Sequence, residues 1–463
     1  MIESIKSVLL TVLILTSFVQ SGILLYSSPS YEERLDSTFT DPQKIGSQEF
    51  EKQGIHQLAA PGQILLHEDG EHRQVSIGPE NKDYRRLLEK LHLTRFKELQ
   101  EVTPSAKDWD ELLNEKRGVE LRFNRNLPPD TMQAFFSSDL EKLNLDSISR
   151  VWFYDDPKSK QLFVRFISDE TGETVQGKAS LNAFDDWMGL AKGQDAARLA
   201  AILPAKAKEG KKAPDPLYLP EAPLPVKGYT YPLKEIRIDD LKQVLFQDPD
   251  LAKQILELDN SKIYTDSNRT LQHNTKADTI VYNRPDPATA KTSTLAEQLD
   301  LINTFMNRHG GWTGNFLLDE VQEDPDQKTP FLRFRLYTRN LPIYWEGGEK
   351  TSPATIRLAA VNKGVTSYER SLWYLAPQPV KERTVEKELP GKDDFLKELN
   401  RRGLSPEKDV QTVYPGYRAV PGKKVVTLLP VWVIQLKDGT RNYVEARKTG
   451  RETAWTGAKP KPY

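Results

Sequence analysis

The sequence predicts an α+β protein: a single N-terminal transmembrane helix followed by a multi-domain ectodomain of helices packed on antiparallel sheets. Three observations lead to this prediction. Residues 8–25 form an uncharged apolar run. Beyond them, segments with apolar residues at helical spacing alternate with strand-like runs. Turn residues such as Asp438-Gly439 separate neighbouring strand-like runs, as in antiparallel hairpins.

The composition excludes several classes of protein. Hydrophobic residues make up 38% and charged residues 28%, which is enough apolar surface for folded cores. The 65 basic and 66 acidic side chains nearly cancel, whereas a nucleic-acid-binding protein would carry a strongly basic face. The chain has no cysteine, so disulfides, thiol catalysis, Cys-ligated zinc and a cysteine-linked lipid anchor are all excluded.

The apolar run predicts a membrane anchor. Eighteen helical residues extend about 27 Å, just enough for a bilayer core. We expect residues 1–7 to form a short cytoplasmic tail, residues 8–26 the transmembrane helix, and the remainder an extracytoplasmic region. Lys6 precedes the run and acidic residues follow it, which favours a cytoplasmic N-terminus. A cleaved signal peptide ending at Ser21 is the alternative, but the apolar run continues beyond that point.

One face of the predicted transmembrane helix carries small and hydroxyl residues. At about 100° per residue they fall within an arc of roughly 140°; they are Ser7, Thr11, Ser17, Ser21 and Gly22. Such a stripe lets another helix approach closely, so we predict that it is a partner-helix interface. The alternative is that these hydroxyls bond back to their own helix backbone.

The ectodomain divides by composition into four parts. These are a stalk with the first ectodomain part at 27–203, a Pro-rich linker at 204–226, a middle α+β domain at 227–378 and a C-terminal α+β domain at 379–463. Apolar spacing and capping residues predict helices at 83–91, 105–113, 239–246, 249–258, 294–308 and 393–402. Strands are predicted at 119–123, 151–154, 162–167, 331–337, 354–361, 367–375, 410–420, 425–436 and 441–446.

A short motif recurs in the two halves of the ectodomain. Arg125-Asn126-Leu127-Pro128 reappears as Arg339-Asn340-Leu341-Pro342. It hints at repeated α+β units.

Residue patterns typical of catalysis or metal binding are missing from the sequence. The six histidines show no metal-ligand spacing. We expect His67 and His72, which flank an acidic turn, to be solvated, and His309 to be an imidazolium favoured by a helix C-terminus. Residues 172–178 resemble a phosphate-binding loop, but Ala179 stands where a magnesium-binding hydroxyl is required. We therefore predict no enzyme activity, no catalytic residues, no metal site and no cofactor.

Two stretches resemble the YycH family of low-GC Gram-positive bacteria. The first stretch is Glu3-Ser4-Ile5-Lys6-Ser7, followed by the apolar run and then by Tyr31-Glu32-Glu33-Arg34-Leu35. The second stretch is C-terminal and is similar to a PepSY-type unit. Its residues are Pro430, Trp432, Asp438-Gly439, Tyr443-Val444-Glu445-Ala446 and Thr449-Gly450. The resemblance implies a membrane-anchored accessory regulator of the sensor histidine kinase WalK (YycG), acting with a YycI-like partner through membrane helices and ectodomains in a two-component system that governs cell-wall metabolism.

The short predicted cytoplasmic tail agrees with that role, because it has no room for a catalytic domain. An anchored extracytoplasmic binder or inhibitor of a cell-wall hydrolase is the main alternative. A solute-binding receptor is a weaker one, since a hinged two-lobed α/β pattern is not seen in the sequence.

Overall fold

The computed structural model describes residues 53–448, except 75–81, 134, 137, 139, 141–142, 157–158, 181–183, 191–196, 203–214, 260, 267, 286–292, 324–328, 350 and 362–363; before residue 53 it describes Lys6, Ile14, Thr16, Ser17 and Ile45. The chain divides into two compact units, residues 1–42 and 43–463. In the first unit the four described residues are helical. No helix within the described part is long and apolar enough to cross a membrane, and most of the predicted anchor at 8–26 lies outside that part.

Eight α-helices lie in the described part of the second unit. They are α1 Ile55–Leu58, α2 Lys82–His92, α3 Ala106–Asn114, α4 Pro129–Met132, α5 Phe184–Leu190, α6 Ile238–Leu245, α7 Leu295–His309 and α8 Lys392–Arg401. The predicted caps are confirmed. Ser105 Oγ accepts the Asp108 N–H at 3.2 Å at the start of α3. At α7 the Thr294 hydroxyl and the Glu297 carboxylate each accept the other's backbone N–H, which satisfies two otherwise unpaired amides.

The first sheet contains nine antiparallel strands. They are β1 Gln63–Glu68, β2 Glu71–Gln74, β3 Arg95–Val102, β4 Gly118–Leu127, β5 Ile148–Asp156, β6 Gln161–Ile167, β7 Thr174–Ser180, β8 Ala197–Ile202 and β9 Leu217–Pro220. Their spatial order is β3-β7-β6-β5-β4-β1-β2-β8-β9. Strands β5 and β4 lie in the middle; most of β5 is buried, and so are the first four residues of β4.

The second sheet contains sixteen strands. They are β10 Leu224–Glu235, β11 Lys253–Leu256, β12 Lys262–Thr265, β13 Thr270–Asn274, β14 Thr279–Asn283, β15 Asn315–Gln322, β16 Phe331–Thr338, β17 Leu341–Trp345, β18 Thr355–Val361, β19 Gly364–Ser371, β20 Trp373–Leu375, β21 Val385–Leu389, β22 Val410–Pro421, β23 Val425–Leu436, β24 Arg441–Glu445 and β25 Arg447–Lys448. The main path runs β11-β12-β13-β14-β19-β18-β16-β17-β22-β23-β10-β21-β25, while β15, β20 and β24 pair with β16, β10 and β23. Of the pairs described, only β17 with β22 is parallel.

The α+β class with antiparallel sheets is confirmed, but the predicted helix at 249–258 is wrong. Its residues form a 3-10 turn, Pro249–Leu251, followed by strand β11. Apolar residues at helical spacing suggested the helix, and pairing with β12 overrides that weak local preference.

Strands also occupy part of the segment predicted as a linker. Leu217–Pro220 pairs with β8 in the first sheet, and β10 begins at Leu224 in the second. Strand β10 pairs with both β21 and β23, which lie beyond the predicted boundary at 378. The division of the ectodomain into domains stays a prediction.

A shared hydrophobic core connects the two sheets. Helix α7 packs on β18 and β19, and α1 and α4, which belong to the first part of the chain, contact α7. The main core cluster contains buried residues of both parts, including Phe153 of β5 and Phe334 of β16. This packing places the ends of β4 and β15 side by side.

Candidate functional site

The predicted partner-helix face lies almost wholly outside the described residues. Ser7, Thr11, Ser21 and Gly22 are not described, and Ser17 is helical with an exposed side chain. The partner-helix interface therefore stays a prediction.

A polar cleft of about 660 Å³ lies where the two sheets meet. It is lined from the first sheet by the end of β4 and from the second by β15, β17 and the β22–β24 strands. Both copies of the recurring motif reach it, Arg125 and Asn126 from one side and Asn340 and Pro342 from the other. The repeat noted in the sequence thus marks a junction in space.

Polar contacts join the two sides of this cleft. The Arg125 Nε donates to the backbone carbonyl oxygen of Asp319 at 2.5 Å, and its guanidinium lies 3.6 Å from Glu320. The Asn124 amide donates to the Tyr337 hydroxyl at 2.8 Å. Strand β4 is therefore bonded directly to β15 and β16.

On the second-sheet side, Asp319 is the centre of a buried ion-pair cluster. Its Oδ2 accepts from Arg333 Nε at 3.1 Å and from Arg335 Nη2 at 2.7 Å. Arg335 is fully buried; its guanidinium also donates to Glu349 at 3.1 Å and lies 4.2 Å from the ring centroid of Tyr344. Burial alone would favour the neutral acid, but the adjacent guanidiniums hold the pKa of the Asp319 carboxyl well below its usual range.

On the first-sheet side, Glu120 is the corresponding centre. Its Oε1 accepts from Arg122 Nε at 2.9 Å and from Arg150 Nη1 at 3.2 Å. Its Oε2 accepts from the Tyr218 hydroxyl at 3.3 Å. Burial opposes ionisation here too, yet the two arginines and His67 hold the pKa of Glu120 well below its usual range. Both carboxylates therefore stay charged inside the protein.

The expected solvation of His67 and His72 is wrong. The two residues lie directly opposite each other in the β1–β2 hairpin, so both side chains project to the same, inner face. Their Nδ1 atoms are 2.9 Å apart, and the His67 ring stacks on Trp152 at 4.5 Å between centroids. Burial lowers the pKa of His67 and lowers that of His72 to about 4, so both are neutral at pH 7.

His309 is not an imidazolium either. It lies at the end of α7, where Gly310 adopts the left-handed conformation with φ 66°. The imidazole is 3% exposed, against Phe305 and Tyr368. Burial lowers the pKa of His309 to about 3, because desolvation outweighs the favourable helix end.

Sequence reasoning missed the two ion-pair clusters, although a signal was present. Charged and amide side chains occupy every second position of β4, and arginines do so in β16. In both strands Leu-Arg-Phe precedes the recurring motif, as Leu121-Arg122-Phe123 and Leu332-Arg333-Phe334. Period-two charges in a strand ordinarily indicate a solvent-facing side. Here that side faces the junction between the sheets.

The described residues contain no group of three or more His, Asp or Glu side chains arranged to bind a metal ion. The charged groups of the cleft are largely bonded to one another: Arg122 also pairs with Asp215 at 3.0 Å, and Arg150 donates to Asp169 at 3.0 Å. These ion pairs connect neighbouring groups on each side of the cleft, whereas the Asn124–Tyr337 and Arg125–Asp319 hydrogen bonds cross it.

The fold and its junction define a two-sheet α+β protein with a shared hydrophobic core, polar contacts across the cleft and a buried ion-pair cluster on each side of it. Family models of the YycH protein match residues 3–193 with the N-terminal domain and residues 215–445 with the C-terminal domain. The chain belongs to the YycH family, and the resemblance seen in the sequence is confirmed.

Two similar proteins come from Bacillus subtilis. The chain is 21% identical over 451 residues to the two-component system WalR/WalK regulatory protein YycH of strain 168, covering 94% of each chain. It also resembles the crystal structure of YycH from Bacillus subtilis, with a TM-score of 0.66 and 15% identity over 87% of this chain and 98% of that one. The structural likeness at this identity concerns the fold.

Proposed function

We propose that this protein regulates a two-component system of the WalR/WalK type by acting on its sensor kinase, with no catalysis of its own. The observation that carries the proposal is the end-to-end likeness to the Bacillus subtilis regulator, which covers 94% of both chains. A match over the whole length is what conservation of one overall role would produce, whereas a match over one domain would support only a shared module.

In this proposal, residues 8–26 anchor the protein in the membrane, with its N-terminus in the cytoplasm and its bulk outside. It contacts a sensor histidine kinase of the WalK (YycG) type and a YycI-like partner, and residues 379–463 form a PepSY-like unit. The uncharged apolar run supports the anchor. The stripe of small and hydroxyl residues supports packing against a partner helix.

The binding free energy expected from the transmembrane helix indicates how much of the affinity the ectodomain must supply. Interhelical polar contacts in membranes average about 0.6 kcal/mol each, so four such contacts contribute roughly 2 to 3 kcal/mol. That is enough to shift a kinase between two states, but it is too little to hold a complex together. We therefore assign most of the affinity to the ectodomain. Its two sheets are joined by the Arg125–Asp319 bond and the shared core.

The test is a double change on the predicted stripe, Ser17→Leu with Ser21→Leu, in the full chain expressed in its host. We expect altered output from a reporter gene controlled by the response regulator, because two leucines would keep a partner helix from close approach. The matched control is Leu9→Ile with Ile23→Leu, which at about 100° per residue lie on the side opposite the stripe and should leave output unchanged. Membrane fractionation checks that both variants insert equally.

Equal effects of the two double changes, or no effect of either, would contradict signalling through this helix face. Purification of the intact protein from membranes separately tests the partner. Recovery of a sensor kinase is the expected result. Recovery of a cell-wall hydrolase without the kinase would contradict the regulatory proposal and favour the inhibitor alternative.

A further inference from the structure

Strand β11, at one edge of the second sheet, and the residues on either side of it carry an exposed apolar surface. Among the described residues, eight large apolar side chains are exposed, and four of them lie within eight consecutive positions: Leu251 at 71%, Ile255 at 52%, Leu256 at 64% and Leu258 at 107%. All four residues of β11 are exposed. In the described structure this strand pairs only with β12, so its other edge has no strand beside it.

The free edge presents backbone groups ready for pairing. The Glu257 N–H donates to the Ser261 carbonyl oxygen at 2.9 Å, so the backbone of Glu257 faces β12. Backbone direction alternates along a strand, so Ile255 and Lys253 also face β12, in register with Ile263 and Thr265. The N–H and C=O groups of Gln254 and Leu256 therefore point outward.

We propose that this edge is an interface with a second copy of the same chain, formed by antiparallel pairing of the two β11 strands about a two-fold axis at Ile255. In this register Gln254 of each copy lies opposite Leu256 of the other. The two outward-facing pairs exchange backbone hydrogen bonds in both directions, and Ile255 meets Ile255 as the non-hydrogen-bonded pair between them. The interface is isologous, and it closes at two copies.

Charge complementarity favours a second copy as the occupant. Lys253 and Glu257 stand two residues on either side of Ile255, and their side chains share one face of the strand with it. The two-fold axis therefore places Lys253 of each copy opposite Glu257 of the other, which makes two opposite-charge pairs around an apolar centre. An edge lysine ordinarily discourages pairing with a foreign strand, but in this register each lysine meets an acid.

The absence of cysteine in the chain allows a direct test in the full-length protein. Ile255→Cys should form a disulfide-linked dimer on mild oxidation, because Cα atoms of a non-hydrogen-bonded antiparallel pair are about 4.5 Å apart, within disulfide range. Leu93→Cys, with a side chain 73% exposed elsewhere on the molecule, is the matched control and should remain monomeric. Equal cross-linking of the two variants would overturn the proposal.

Charge reversal tests the register. In the Ile255→Cys background, Lys253→Glu alone or Glu257→Lys alone places like charges opposite each other twice per dimer, and we expect dimer affinity to fall roughly tenfold. Mixing the two single variants restores both opposite-charge pairs, so cross-linking between them should recover. Unchanged affinity in the single variants, or no recovery in the mixture, would overturn the proposal.

Discussion

Replacing Asp319 with asparagine removes one negative charge from the junction between the sheets and keeps the side-chain shape. The Asp319 side chain is 10% exposed, and its Oδ2 accepts from both Arg333 and Arg335. In the variant the fully buried guanidinium of Arg335 loses its nearest counter-charge, and Arg333 keeps Glu320 close by.

The expected loss follows from these contacts. A hydrogen bond to a charged group contributes about 1.5 to 3 kcal/mol, so two such bonds give roughly 3 to 6 kcal/mol. Removing one partner of a buried ion pair typically costs about 3 to 5 kcal/mol. Arg335 retains Glu349 at 3.1 Å, which favours the lower end of these ranges. We expect Asp319→Asn to lower the free energy of unfolding by about 3 kcal/mol.

Urea unfolding followed by tryptophan fluorescence at pH 7 measures this loss. Asp394→Asn is the control, because Asp394 is 45% exposed and pairs at the surface with Lys397 and Arg447. Such exposed pairs contribute below about 1 kcal/mol. A loss for Asp319→Asn no larger than that of the control would refute the argument that the buried cluster stabilises the fold.

The dependence on pH gives a second criterion. The pKa of Asp319 is lower in the folded protein than the value near 3.9 of an unfolded aspartate. The carboxylate therefore stabilises the fold fully above about pH 4, and this contribution is lost as the pH falls further toward the folded-state pKa. The difference between wild type and Asp319→Asn should be constant from pH 7 to pH 5. A difference that vanished within that range would contradict the assignment.

Two further predictions concern buried histidines and glycines. Burial lowers the folded-state pKa values of His67, His72 and His309 below 6.5. The free energy of unfolding should therefore fall as the pH drops from 6.5 toward 4, by up to about 1.4 kcal/mol per pH unit for each histidine that stays neutral. Urea unfolding at pH 7, 6 and 5 measures this fall, and a flat profile would contradict the prediction. Gly118→Ala should destabilise by about 1 to 3 kcal/mol, since the new Cβ would lie 2.7 Å from a backbone oxygen, whereas Gly189→Ala in α5 meets nothing within 4 Å and should be neutral or stabilising in the same assay.

Local features of the fold could be predicted from the sequence. The capping box of α7 and the hairpin turn at Asp438-Gly439 involve residues a few positions apart, and local chemistry decides them. Long apolar runs such as β23 likewise reveal themselves without knowledge of their partners. The α+β class followed from these elements alone.

The short segment 249–258 shows where local preference is insufficient. Leu251, Ile255 and Leu258 have helical spacing, yet Ile255 pairs with Ile263 in a strand. A few residues carry too little propensity to outweigh ladder hydrogen bonds with a neighbouring strand.

By itself, the sequence determined the α+β class, the caps and turns, and the family to which the chain belongs. Only the tertiary structure decided the protonation of His67 and the charge of Asp319, and it alone brought the two copies of the recurring motif to one cleft. The physical reason is distance along the chain. Glu120 and Tyr218 are 98 positions apart, and Arg125 and Asp319 are 194 apart. Burial and charge at such sites depend on which strands pack together, and no local pattern records that packing.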